Sequence, residues 1–256
     1  MRILIKLGGT LLDNADSRER LAREIAALAA EPEYDIVVVH GGGKQMTRFL
    51  SERGVESRFV NGLRVSTPEV IDAVVKVFAG SVNAQLVTAF RAAGARPVGL
   101  SGLDAGLVDA EVLNPELGMV GKPVHSDGRL LDVLTRESYL PVVACVAGDA
   151  AGAIYNVNAD QMAVACATSF RADRLFFVTD VEGVRDANGQ TLTTVSAAAA
   201  NELIRQGIAS GGMQAKLEAA ISALQIVPMV LIGPGAQTGI IRLMLGESFA
   251  GTRLIS

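Results

Sequence analysis

Tryptophan is absent from this 256-residue chain, and aromatic residues make up only 4% of it. A core with so few rings has to be aliphatic, which suits parallel strands covered by helices. The two cysteines, Cys145 and Cys166, lie in apolar stretches with no CxxC pair. That pattern reads as buried free thiols in a reducing compartment, not as a disulfide or zinc framework. The two histidines, His40 and His125, have no supporting spacing for a triad or a metal site. A structural or solvent-facing role is expected of each, with His40 able to orient the glycine turn beside it. No apolar stretch reaches the ~18 residues of a membrane span, and no signal peptide is visible. Excess basic charge is missing too. The net charge of −4 argues against nucleic acid or anionic lipid as a partner. A cytoplasmic protein is expected, in which any phosphate site is a local concentration of positive charge.

Familiar nucleotide and catalytic signatures are also missing. A Walker A loop requires G-x-x-x-x-G-K-[ST], but Gln45 follows Gly43-Lys44 and Val38 replaces the first glycine. The G-x-G-x-x-G fingerprint fails at Met46 after Gly41 and Gly43, and at Thr238 after Gly233 and Gly235. There is no HExxH, GxSxG, HRD or DFG.

What is present is a chain that is 50% hydrophobic and 20% charged, in which apolar runs alternate with amphipathic stretches. Strands are expected at 2–7, 35–40, 96–100, 140–146, 173–178 and 227–232. Helices are expected at 17–30 with Ser17 as N-cap, at 44–53, from Thr67-Pro68 to about 93 with a break near Gly80, from Asn158 to about 169, at 196–206 and at 213–224. Residues 103–129, with their glycines and prolines, read as hairpins or excursions near a sheet edge. The alternation implies an α/β fold with a mostly parallel sheet and helices on both faces. A lobe boundary is expected near residue 172, with both lobes sharing one sheet.

Three glycine-rich turns stand beside cations: Lys6-Leu7-Gly8-Gly9, His40-Gly41-Gly42-Gly43-Lys44, and Gly211-Gly212 followed by Lys216. Such turns at strand ends let backbone N–H groups approach an anion, and a helix starting there adds its positive end. Two readings of Lys6 are open: a lysine at a strand end or in an ion pair with a carboxylate such as Asp160, or a cation at the floor of an anion site. Lys216 alone reads as a surface lysine; beside Lys6 it becomes a second clamp on a transferring phosphoryl group. Asn156-Val157-Asn158-Ala159-Asp160 can cap a helix, and Asp160 has lone pairs enough to hold both lysines. Asn61-Gly62-Leu63-Arg64 presents an arginine that is either a surface residue or a fork for a substrate carboxylate.

IKLGGTLLD (5–13), VVHGGGK (38–44), NGLRV (61–65), YLPVV (139–143), NVNADQ (156–161), TDVEGV (179–184) and the GGMQAK bearing Lys216 together resemble the acetylglutamate-kinase branch of the amino acid kinase family, over nearly the whole chain. The resemblance implies a three-layer αβα sandwich. It also implies transfer of the ATP γ-phosphoryl group, with Mg²⁺ carried by the nucleotide, to the side-chain carboxylate of an N-acylated acidic amino acid. By the same resemblance Lys6 and Lys216 stabilise the phosphoryl group and Asp160 organises them. Gly42, Gly43, Arg64 and Asn156 hold the amino acid. Gly9, Asp180, Val181, Glu182, Gly183, Val184, Arg185, Ile208, Ala209 and Ser210 line the nucleotide site, and no residue is assigned to a metal. Residues 1–172 would bind the acyl amino acid and dimerise, and 173–256 would bind nucleotide. Longer relatives carry an extra N-terminal helix that builds arginine-inhibited rings. This chain's first strand starts at residue 2, so a homodimer through the helix at 67–93 without arginine feedback is expected. Sibling acceptors (N-succinylglutamate, N-acetylaminoadipate, carrier-bound aminoadipate or glutamate) differ by as little as a methylene. NGLRV favours the acetylglutamate pattern, while GLSGLD (99–104) looks like the carrier type. A non-catalytic nucleotide or oxyanion binder on the same fold is the reading from another class.

Overall fold

A computed structural model describes residues 1–60, 62–246 and 249–255. The branched apolar runs form strands buried on both faces: β1 (Arg2–Leu7) and β2 (Asp35–His40) each leave only their first residue partly exposed. After β1 come the short α1 (Gly9–Asp13) and α2 (Ala15–Ala29); β2 leads into α3 (Gly43–Ser51). The Asn14 side chain accepts from the Ser17 N–H, so Asn14 caps α2 and Ser17 is the residue being capped, correcting the sequence reading.

A hairpin follows, β3 (Phe59–Val60) with β4 (Leu63–Arg64). The long helix then runs unbroken from Pro68 to Ala92: α4 (Pro68–Val74), a π-helical stretch (Val75–Val82) and α5 (Asn83–Ala92). The Thr67 hydroxyl caps it, and Gly80 lies within the π-helical stretch and does not break the helix. By length and composition alone this helix could cross a membrane, which corrects the expectation that no stretch would; half of its most apolar window is buried inside the fold. Asp72, Lys76, Ser81 and Asn83 interrupt the run, so it reads as amphipathic rather than as a span.

Next come β5 (Pro97–Ser101), β6 (Val108–Val112), β7 (Val120–Ser126), α6 (Arg129–Arg136), β8 (Leu140–Ala144), β9 (Val146–Gly148), β10 (Ile154–Val157) and α7 (Ala159–Ser169). Strands β6, β7, β9 and β10 close into a small barrel, so the 103–129 stretch does hold an antiparallel hairpin, β6 with β7, but it belongs to a second, closed sheet and not to the edge of the first. The expected strand at 140–146 divides at Cys145 between sheet and barrel.

The last part holds β11 (Arg174–Thr179), β12 (Thr194–Ser196), α8 (Ala197–Arg205), α9 (Gly211–Ala223), β13 (Met229–Pro234), α10 (Ile240–Leu243) and β14 (Thr252–Ile255). The main sheet has the order β12-β14-β13-β11-β1-β2-β8-β5, parallel except for the β13–β14 pair. Its β1, β2, β8 and β5 come from before residue 172 and the other four from after it. Strand order reverses between β1 and β11, which is where ligands bind beyond the carboxyl ends of such sheets.

The two faces are set by alternation along β1. Lys6 points toward α7 and meets Asp160. His40 is in register with Leu7, one residue on, so it points to the opposite face and meets Asn83 of α5. Helices therefore cover both sides of the sheet, making three layers.

Candidate active site

Lys6, near the end of β1, is buried at 8% exposure among strand neighbours that are almost wholly buried. An ammonium group there needs a counter-charge. Asp160 supplies it from the first turn of α7: Lys6 Nζ lies 2.6 Å from Asp160 Oδ1. Asn158 positions that turn, its side chain accepting from the N–H groups of Asp160 and Gln161 at 2.8 and 3.3 Å. Lys216, on α9, reaches the same carboxylate from the other side and donates to Asp160 Oδ2 at 2.9 Å. Its Nζ also sits 5.1 Å from the centre of the Phe177 ring. Burial alone would raise the Asp160 carboxyl; the two ammonium charges overcome it and hold the group down at about 2. Burial, then the charge of Lys6, lowers Lys216 below the ordinary lysine value, and the attraction of Asp160 opposes them. Two cations share one carboxylate, so the triad keeps a net positive charge.

The glycine turns surround this triad, though not all as strand ends. Gly8 and Gly41 follow the adjacent parallel strands β1 and β2. Gly211 and Gly212 form the first turn of α9 instead, correcting the picture of three strand-end turns. Neither α3 nor α9 has a side chain capping its N-terminus, so their first N–H groups are left for other acceptors. The first two turns are back to back: a Cβ on Gly9 would lie 3.3 Å from the Gly43 nitrogen. On its other side Gly42 touches the π-helical stretch, where a Cβ would come within 2.9 Å of Phe78.

His40 braces the second turn from the core. Gly41 O can only accept, so His40 Nδ1 carries the proton and donates to it at 2.9 Å; Nε2 then accepts from Asn83 Nδ2 at 3.0 Å. Asn83 also donates to Val142 O at 2.8 Å. The fully buried imidazole is lowered to about 4 by desolvation, against a smaller upward pull from its bond to Gly41. It is neutral and structural at physiological pH. From pH 6.5 down to about 4 the unfolded chain takes up a proton that folded His40 refuses, so stability falls as pH falls through that window, by roughly 3 kcal/mol in all. The urea midpoint of the wild type should therefore decline across it, and His40→Gln should flatten the decline. A wild-type midpoint independent of pH there would contradict the assignment.

Arg64 is brought to the same place by the β3–β4 hairpin. It is 8% exposed, stacks 4.6 Å from the Phe59 ring, and has no carboxylate partner among the described residues. Its Nη2 donates to Thr47 Oγ1 at 2.7 Å and to Gly43 O at 3.2 Å, and its Nη1 donates to Ser57 Oγ. Burial lowers its pKa, with no anion among the described residues to offset the cost. Asn156 joins through Ser66: Asn156 Nδ2 donates to Ser66 Oγ at 3.0 Å, and Ser66 Oγ donates to the Arg64 carbonyl at 3.0 Å. Gly9, Gly42, Gly43, Arg64 and Asn156 are thus linked by contact or hydrogen bond. Asn61, the first residue of the hairpin motif, lies outside the described residues.

The stretch from 180 to 185 follows β11. Asp180, Val181, Glu182 and Arg185 are exposed, while Gly183 and Val184 are buried. Thr252 on β14 fixes the loop, accepting from the Val184 N–H at 2.8 Å and donating to Leu192 O at 2.6 Å. Ile208 is half-buried, Ala209 buried and Ser210 exposed, immediately before α9. A groove of about 1220 Å³ between β7, α7 and α9 takes in Gly62, Asn158 and Gly211. The triad lies beside this groove; none of its three members lines it. Cys145, behind Lys6 and Asp160, is pushed up to about 12, chiefly by burial, and is inert.

Sequence reasoning named the three triad residues but missed Thr47, Ser57, Ser66, Asn83 and Thr252. Thr47, one helical turn after Gly43, was within reach of it; the others meet the site only through folding.

The model of the amino acid kinase family matches residues 1–233. An acetylglutamate kinase from Solibacter usitatus is 56% identical over 257 residues, covering all of both chains. One from Bartonella bacilliformis is 37% identical over 99% of this chain and 89% of its own. Among solved structures, N-acetylglutamate synthase from Neisseria gonorrhoeae, complexed with coenzyme A and N-acetyl-glutamate, aligns with a TM-score of 0.87 and 22% identity over 100% of this chain and 59% of that one. At that identity the likeness shows the fold alone.

Proposed function

The chain belongs to the amino acid kinase family, and we propose on that premise that it transfers the γ-phosphoryl group of ATP to the side-chain carboxylate of N-acetyl-L-glutamate, a step of arginine biosynthesis. The observation that carries this reading is a charge imbalance: Lys6 and Lys216 are buried on one shared carboxylate, Asp160, and Arg64 is buried with no carboxylate partner among the described residues. Buried cations in excess call for anions from outside, here phosphates on one side and a substrate carboxylate on the other.

A carboxylate oxygen of the acceptor forms a bond to the γ-phosphorus. The bond from phosphorus to the oxygen bridging the β-phosphate breaks, and its electron pair leaves on ADP. Lys6 and Lys216 neutralise the charge spread over the equatorial oxygens. Asp160 holds the two ammonium groups apart and aimed. Being low at about 2 and doubly paired, it is not a proton acceptor at neutral pH, and a carboxylate nucleophile, already ionised, needs none. Arg64 takes the acceptor's other carboxylate, and Asn156 with the N–H groups of Gly42 and Gly43 orients it. Gly9, Asp180 to Arg185 and Ile208 to Ser210 line the nucleotide side, with Val184 setting the loop's shape and the exposed members facing ATP.

Mg²⁺ carried by the bound nucleotide would supply charge neutralisation on its phosphates. Among the described residues no three of His, Cys, Asp and Glu cluster as metal ligands, and Asp160 is committed to the lysines. The two halves of the sheet divide the work: residues 1–172 bind the acceptor and 173–256 the nucleotide. The working form is a cytoplasmic homodimer joined through the long helix, whose Gly80, Ala84 and Thr88 recur at helical spacing on an exposed face.

The test is an ATP-Mg²⁺ assay with a panel of acceptors, trapping the acyl phosphate with hydroxylamine, on material whose mass is measured by light scattering. N-acetylglutamate should give the highest kcat/KM, from a species of two chains. A higher kcat/KM with N-succinylglutamate or N-acetylaminoadipate would overturn the acceptor assignment. Acceptor-independent nucleotide binding without turnover would overturn catalysis, and a monomer would overturn the dimer.

A further inference from the structure

We infer that Thr47 is a positioning residue that ties Arg64 to the first turn of α3 and so sets affinity for the acceptor. This rests on the functional reading above. Thr47 lies one turn beyond Gly43, and its hydroxyl works in both directions: it donates to Gly43 O at 2.9 Å and accepts from Arg64 Nη2 at 2.7 Å. Arg64 Nη2 closes the triangle on the same Gly43 oxygen at 3.2 Å. One hydroxyl thereby joins two parts of the acceptor site that are distant in sequence. The first is the helix start that offers the Gly42 and Gly43 N–H groups; the second is the hairpin that carries the guanidinium.

The link matters because, among the described residues, nothing charged holds Arg64. Its protein partners are the neutral oxygens of Thr47, Gly43 and Ser57 and the face of Phe59, a ring that is itself half-exposed. A two-residue strand pair is too short to hold a long side chain rigidly by itself. Among the described residues Arg64 Nε–H has no partner, so this donor is left for the acceptor, and its direction follows from where Nη2 is pinned. Thr47 is exposed, so changing it leaves the core alone.

Thr47→Val keeps the shape and removes the hydroxyl; Thr47→Ser keeps the hydroxyl. With ATP saturating, Thr47→Val should raise KM for N-acetylglutamate about tenfold, the scale of one hydrogen bond to a charged group. KM for ATP should stay within about twofold and the melting temperature near that of the wild type. Thr47→Ser should restore the acceptor KM to within about twofold. In an Arg64→Leu background Thr47→Val should add nothing, because its effect passes through Arg64. An unchanged acceptor KM in Thr47→Val would overturn the assignment, as would equal rises in both KM values or a full additional effect without Arg64. Failure of the wild type to use N-acetylglutamate would instead overturn the functional reading.

Discussion

Replacing Lys216 with methionine is expected to lower kcat about 100- to 1,000-fold, the loss that follows removal of one preorganised donor from a developing anion. The fold should survive. Asp160 keeps Lys6 at 2.6 Å, so the remaining pair is neutral. Methionine fills most of the volume that Lys216 occupies against Phe177. The lost charge was itself disfavoured, first by burial and then by Lys6, so its removal relieves a cost. Catalysis and stability therefore separate at this residue. Steady-state rates with N-acetylglutamate and a thermal melt measure both. A kcat within tenfold of the wild type would remove Lys216 from the phosphoryl site.

Asp160→Asn should behave in the reverse order, with stability lost as well as rate. Two buried ammonium groups would lose their shared counter-charge, a change that costs about 3–5 kcal/mol when one partner of a buried pair is removed. The sign with pH follows from the lowered carboxyl. Stabilisation by Asp160 is complete above the ordinary carboxylate value and is lost only as pH falls through about 2, so at neutral pH the whole effect is exposed by mutation. Because the variant retains both lysines, an added anion should substitute for the missing charge. Inorganic phosphate or a non-hydrolysable ATP analogue should raise the variant's urea midpoint more than the wild type's. Equal stability of variant and wild type would show that Asp160 does not hold the lysines together.

Much of this site was legible before folding. A lysine inside an apolar strand, glycines directly after it, and an Asn-Ala-Asp start to a helix are local signals, and Lys6, Asn158 and Asp160 occupy the places those signals imply. Other local signals misled. Ser17 is a good cap by type, but Asn14 stands at the residue where the backbone is still extended. Gly211-Gly212 resembles a strand-end turn, yet the element before it is the helix α8 and it opens α9. The helix at 68–92 contains a glycine that sequence alone reads as a break, whereas the structure carries the chain through it as a continuous π-helical stretch whose Phe78 and Val82 lie against Gly42.

By itself the sequence determined the parallel α/β alternation, the aliphatic core, the strand-borne lysine and the glycine positions, because each is a matter of residue type and spacing within a few neighbours. Only the tertiary structure decided that Lys6 and Lys216 share one carboxylate, that His40 faces away from them toward Asn83, that the Gly9 and Gly43 turns lie back to back, and that Thr47 holds Arg64. The reason is physical. Strand order and register choose which residues meet across the sheet, and one residue of register separates the face that carries Lys6 from the face that carries His40. No spacing along the chain encodes that choice.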